Sequence, residues 1–181
     1  MNKYYTNNYP IINVYKKTSL KSEIVTQMIY GESFKIINEL SQWMKIRIKE
    51  DGYTGYLKKR KFNSYLEPTH KISVLYSNIY KNSNFKKKVG KLSYASKIKV
   101  EKINGRFAKF QNKWIETKNI KPIKFKNKNF FKDIKKFIGV KYKWGGKTFA
   151  GIDCSALIQV CLNFNNKSFP RDTGQQINFL K

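Results

Sequence analysis

The stretch Tyr142-Lys143-Trp144-Gly145-Gly146, followed by Gly151-Ile152-Asp153-Cys154-Ser155-Ala156-Leu157-Ile158-Gln159, decides how the rest of the chain is read. An aromatic, glycine-rich loop runs into a lone Asp-Cys-Ser. The apolar run Ala156, Leu157, Ile158, Val160, Cys161, Leu162 follows and is hydrophobic nearly all round, the pattern of a buried core helix. Asp153 is a good residue to cap its start. Cys154 then falls in the first turn, where the helix dipole favours an anion and hence a thiolate. The plainer alternative is a structural cysteine at the start of a core helix. Gly145-Gly146 reads as a tight turn needing positive φ, which brings the loop close to the thiol.

Working outward, Pro170-Arg171-Asp172-Thr173-Gly174-Gln175-Gln176 forms a third block. The three blocks, in this order, resemble the NlpC-type cysteine peptidases, which cut bacterial cell-wall peptides. Their pattern is Tyr-x-Trp-Gly-Gly, then Asp-Cys-Ser-Gly-Leu-(Val/Ile)-Gln, then Pro-Arg-(Asp/Thr)-(Ser/Thr)-x-x-Gln. Ala156 stands where the family usually has Gly, a small-for-small change. The resemblance implies that Cys154 is the nucleophile and that the Tyr142 hydroxyl stabilises the oxyanion. On the sequence alone, Tyr142 serves core packing equally well. The resemblance further implies that Asp153 and Ser155 hold the free amine of an N-terminal L-Ala, and that Arg171 and Thr173 lie near the D-Glu part of the substrate. An arginine suits a bidentate contact with a carboxylate; a surface loop arginine is the competing reading. Trp144 reads as wall and Gln176 as structural.

The resemblance places the general base on a strand beyond the Pro-Arg-Asp block, usually within Gly-His-Val. The chain has one histidine, His70, more than 80 positions before Cys154, and ends at Lys181. It therefore reads as cut within its catalytic domain and inactive alone. The expected cost is an uncovered apolar face on the helix over 153–164, about 1.5–3 kcal/mol per large side chain left wet.

Upstream, the pattern is of short strands. Ile12-Val14, Phe34-Ile36 and Met44-Ile46-Ile48 alternate, with polar turns such as Glu50-Asp51-Gly52 between them. Adding 64 maps Val25 onto Val89, Met28 onto Leu92, Tyr30 onto Tyr94, Phe34 onto Ile98 and Trp43 onto Phe107. After a deletion, Tyr56-Leu57 meets Trp114-Ile115. One fixed offset with apolar on apolar signals a tandem repeat. Both copies resemble bacterial SH3-like barrels. The expected fold is multidomain β plus α+β: two tandem SH3-like β-barrels, then the N-terminal helical part of a papain-like cysteine peptidase domain. The expected boundaries are 1–66, 67–124 and 125–181. In the last, Phe130, Phe131, Ile134, Phe137 and Ile138 share one face of a helix over 130–138, and a loop covers 139–152.

The net charge is +27, from 38 basic and 11 acidic residues. Lys, Asn, Ile, Tyr and Phe are inflated throughout and the basic residues form no single stripe, so nucleic acid is not the expected partner; an anionic wall polymer fits better. Cys154 and Cys161, seven residues apart on one helix, are separated by about 10 Å, too far for a disulfide. No Cys/His spacing suits zinc. Neither a metal nor an organic cofactor is implied. No membrane span and no export leader are seen, which points to the cytoplasm, or to the cell wall if the start is incomplete.

The expected activity is thiol hydrolysis of peptidoglycan stem peptides with a free N-terminal L-Ala, between γ-D-Glu and meso-diaminopimelate or Lys. The barrels would narrow the cleft and bind the peptide or the wall. The competing functions are a non-catalytic cell-wall or anionic-polymer binding protein built on the barrels, and an acyltransferase or amidase on the same fold.

Overall fold

The computed structural model describes residues 3–84 and 86–181. Met1, Asn2 and Phe85, all within the ranges expected for the barrels, lie outside the described residues. The chain opens with strands β1 (Tyr4–Thr6), β2 (Ile11–Tyr15), β3 (Ile24–Ile29), β4 (Ser33–Leu40), β5 (Trp43–Ile48), β6 (Thr54–Lys58) and β7 (Asn63–Ser64). They form one sheet in the order β3-β2-β6-β5-β4-β1-β7. Alternation decides what each strand buries. Ile12 and Val14 of β2, and Met44, Ile46 and Ile48 of β5, turn inward with Met28, Phe34 and Leu57 to make the core.

A second set follows: β8 (His70–Ile72), β9 (Tyr76–Tyr80), β10 (Lys88–Ser93), β11 (Lys97–Ile98), β12 (Lys102–Asn104), β13 (Phe107–Phe110), β14 (Lys113–Glu116) and β15 (Ile120–Pro122). Their order is β10-β9-β14-β13-β12 in one sheet and β11-β8-β15 in another. Laid on the first copy with the offset of 64, β3 falls on β10 residue for residue, and β4 falls on β11 plus β12. The two orders are then the same, with the counterpart of β4 broken in the middle. The break lies where β4 itself shifts register, between Ile36 and Asn38. A bulge in one copy has become an interruption in the other.

Each copy hands an aromatic ring to the unit after it. Tyr30, just past β3, joins the core of the second set, edge-on to Phe110 at 5.9 Å, and its hydroxyl donates to Gln111 Oε1 at 2.6 Å. Its repeat partner Tyr94 joins the next cluster, stacked on Phe164 at 4.6 Å and edge-on to Phe137 at 5.8 Å.

The remaining elements are a short α1 (Phe131–Ile134) continuing into a 3-10 turn (Lys135–Phe137), a two-stranded ribbon β16 (Lys147–Thr148) and β17 (Gly151–Ile152), then α2 (Cys154–Phe164) and α3 (Thr173–Phe179). The single helix expected over 130–138 is therefore one α-turn that tightens, and the 3.6-residue stripe does not survive it. Phe137 is buried, but Phe131 and Ile138 are 69% and 79% exposed. Nor is α2 bare. Ala156, Val160, Cys161 and Phe164 are buried against Ile29 of the first set, Tyr94 and Ala95 of the second, and Phe137. The barrels cover the face that the sequence left unpartnered; Leu157, Ile158 and Leu162 stay half-buried.

Polar contacts lock this packing. The Lys71 ammonium donates to the carbonyls of Phe125 (2.6 Å) and Phe164 and to Asn166 Oδ1 (3.2 Å), placing a cation at the C-terminal end of α2. Lys147 and Glu32 form a buried ion pair at 2.5 Å. Gln159 Nε2 donates to Asp51 Oδ2 at 2.9 Å. Among the described residues no helix is long and apolar enough to cross a membrane.

Candidate active site

Asp153 has extended backbone and its Oδ1 accepts from Ala156 N at 2.8 Å, capping α2. The next residue, Cys154, is exposed, whereas Cys161, two turns on, is buried. Burial pushes the Cys161 thiol up to about 12, so that sulfur is an inert core side chain. The Cys154 Sγ lies 4.0 Å from Thr173 Oγ1 at the start of α3.

The aromatic loop is held to the same cap. Gly145 N donates to Asp153 Oδ2 at 3.0 Å. Gly145 has φ +68°, and a Cβ there would overlap the carbonyl oxygen of Ile24 in the first barrel. Only glycine permits both the left-handed turn and the close approach. Gly146 has no such φ; a Cβ on it would strike the Gly151 carbonyl across the ribbon. Tyr142 pairs with Ile152 as an isolated parallel bridge and is 65% exposed, so its ring is not core packing. The neighbouring Trp144 donates from Nε1 to Glu23 Oε1 at 2.9 Å, joining the loop to the first barrel.

Asp153 and Arg171 form the buried heart of the site. Arg171 Nη1 and Nη2 donate to the two carboxylate oxygens of Asp153 at 3.0 and 2.6 Å. Nη1 also reaches Ser155 Oγ at 2.9 Å, and Nε reaches Thr26 Oγ1 of β3 at 2.7 Å. Ser155 Oγ donates in turn to Asp153 Oδ1 at 3.1 Å. Burial raises the Asp153 carboxyl, but the hydrogen bonds from Arg171, Ala156 and Ser155 outweigh it and leave it below the usual carboxylate range. Behind this network, Gln176 Nε2 donates to Ser155 O and Pro170 O, each at 2.9 Å, tying α3 to α2.

A cleft of about 660 Å³ opens over these groups. Its wall brings together all six residues singled out from the sequence, Tyr142, Asp153, Cys154, Ser155, Arg171 and Thr173. They do not present themselves as expected. The guanidinium of Arg171, read as a ligand for a substrate carboxylate, is 2% exposed and bonded instead to Asp153, Ser155 and Thr26. Asp153 and Ser155 are likewise buried and committed to one another. Cys154, Tyr142 and Thr173 are the exposed members.

The opposite wall comes from the first barrel: Lys16, Glu23, Val25, Lys45, Tyr53, Thr54, Gly55 and Tyr56. Among the described residues none of the second barrel lines the cleft, so the two barrels do not share the narrowing role expected of them. Glu23 bridges Lys16 (3.0 Å) and Trp144, and these two partners hold its carboxyl below the usual range. Burial, together with the facing Asp172, pushes the Tyr53 phenol up to about 12. The sequence pointed to the barrels as the narrowing elements and placed Val25 and Tyr56 in the repeat, but it did not single out these side chains as cleft lining, because they lie about a hundred positions upstream of Cys154. His70 sits on β8 beside Thr69 Oγ1 at 2.9 Å and does not line the cleft. Among the described residues no group of three or more His, Cys, Asp or Glu is placed to hold a metal ion.

Residues 14–62 match the bacterial dipeptidyl-peptidase Sh3 domain, and residues 139–181 match the NlpC/P60 family. Cys154 lies in the segment that matches the NlpC/P60 family. Across 173 residues the chain is 28% identical to a γ-D-glutamyl-L-lysine dipeptidyl-peptidase of Bacillus subtilis (strain 168), covering 84% of this chain and 57% of that one. A Bacillus cereus (strain ATCC 10987 / NRS 248) protein of the same name is 22% identical over 86% of this chain and 54% of its own length. Dipeptidyl-peptidase 6 of Lysinibacillus sphaericus is 23% identical over 88% and 69%. The chain thus spans a little over half the length of the two Bacillus relatives. A crystal structure of an NlpC/P60 family protein from Bacillus cereus ATCC 10987 shares the fold, with a TM-score of 0.82 at 15% identity over 96% of this chain and 76% of that one. The segment that matches NlpC/P60 therefore follows SH3-like β-structure, in a multidomain α+β arrangement.

Proposed function

We propose that this chain carries the nucleophile of a peptidoglycan-peptide endopeptidase that cuts between γ-D-Glu and the following L-Lys or meso-diaminopimelate. One observation carries the reading: an exposed cysteine at the capped start of a buried helix, opening into a cleft walled by the first barrel. The names of the Bacillus relatives support the substrate class. Cys154 Sγ attacks the γ-carbonyl carbon, the Tyr142 hydroxyl donates to the developing oxyanion, and the amine leaves with a proton. Water then releases the acyl group from sulfur. Asp153 and Ser155 act from behind, fixing the start of α2 and the aromatic loop. On this reading the first-barrel wall stands at the amine end of the bound peptide, where a free N-terminal L-Ala fits and a longer glycan-linked stem does not.

By this reading the 181 residues hold the nucleophile without its base, since His70 is remote from the cleft. The chain alone should hydrolyse no L-Ala-γ-D-Glu-L-Lys. An L-Ala-γ-D-Glu chloromethyl ketone should nonetheless alkylate Cys154, with protection by the free tripeptide and slower reaction for the N-acetylated reagent. Equal labelling by a scrambled peptide reagent, with no protection, would overturn the proposal.

A further inference from the structure

The cleft contains three cationic side chains, and two are already spent. Arg171 is sealed against Asp153, and Lys16 is paired with Glu23 at 3.0 Å. The third is Lys45, on β5 opposite Tyr56 of β6. It is half-buried in the cleft wall, and among the described residues its ammonium enters no ion pair and no hydrogen bond. The acids of the cleft are committed as well: Glu23 to Lys16 and Trp144, Asp153 to Arg171, and Asp172 to the Tyr53 phenol. An unpaired ammonium on the wall of a cleft is available to an anionic group of a substrate.

A γ-linked glutamyl residue supplies one. Its side-chain carboxyl forms the scissile bond, so its α-carboxylate remains free, a few bonds from the carbonyl that Cys154 would attack. We propose that Lys45 of the first barrel is the specificity residue for this carboxylate, in the place that Arg171 cannot fill. This rests on the proposed peptidase function and deepens it: the chain would distinguish γ-D-Glu from the same residue with its α-carboxylate capped as a carboxamide.

The test is calorimetric binding to the Cys154→Ala chain, which cannot react. The two ligands are L-Ala-γ-D-Glu-L-Lys and its α-carboxamide counterpart, at 0.15 M salt, where the Debye length of about 8 Å screens the general positive field. The carboxylate peptide should bind about tenfold more tightly, the scale of one charge-assisted hydrogen bond. Lys45→Met should bring the ratio to about one and Lys45→Arg should restore part of it. Lys58→Met, which removes the same charge from the next strand outside the cleft, should leave the ratio intact. Binding of both peptides with equal affinity, or a ratio that survives Lys45→Met, overturns the role of Lys45 alone. Binding of neither peptide overturns it together with the peptidase reading.

Discussion

Arg171 and Asp153 meet through two hydrogen bonds, at 3.0 and 2.6 Å, with side chains 2% and 8% exposed. The pair joins the loop that opens α3 to the cap of α2, and Arg171 carries the link into the first barrel through Thr26. Removing one partner would leave the other charge buried and uncompensated. Arg171→Met is therefore expected to destabilise the chain by about 3–5 kcal/mol. Arg171→Lys should recover only part of that, because an ammonium cannot span both carboxylate oxygens and Thr26 at once. Urea unfolding of the three proteins measures both differences.

The same pair sets a pH dependence with a defined sign. The Asp153 carboxyl titrates lower in the folded chain than in the unfolded one. Its contribution is therefore present above the unfolded value and disappears as pH falls through the folded one. Asp153→Asn keeps a capping side chain but not the charge. The stability gap between wild type and Asp153→Asn should be constant from pH 7 down to about 4 and close below it. A gap that widens on acidification would contradict the assignment.

The two thiols should separate cleanly. Cys154 is exposed and Cys161 is sealed against Ile29, Tyr94 and Phe164. A disulfide reagent such as DTNB should release one equivalent from the native chain and two after denaturation, and none from native Cys154→Ser. Two fast equivalents in the native state would show that α2 is not packed as described.

Two glycines should respond in opposite directions to alanine. At Gly145 the positive φ and the approach to Ile24 O both oppose a side chain, so Gly145→Ala should lower stability by more than about 1 kcal/mol and pull the aromatic loop off the barrel. At Gly174, in the first turn of α3, an added Cβ meets nothing within 4 Å. Gly174→Ala should stabilise by roughly 0.5–1 kcal/mol. Thermal unfolding of both variants distinguishes them, and the Glu23–Trp144 bond gives a fluorescence readout of the loop.

The linear order of residues determined a good deal here. The three blocks around Cys154, the helix that begins beside Asp153 and the repeat at an offset of 64 all rest on local periodicity or short spacing, and such signals are complete within the chain itself. The tertiary structure decided what those residues face. That Arg171 turns inward and that Tyr30 and Tyr94 leave their own barrels are contacts across a few tens to well over a hundred positions, and Lys45 reaches the cleft wall, unpaired among the described residues, only through the same packing. Nothing local encodes such contacts, because the same arginine or lysine is equally at home in solvent. The choice is made by which surfaces pack together, and by the cost of leaving a charge buried without a partner.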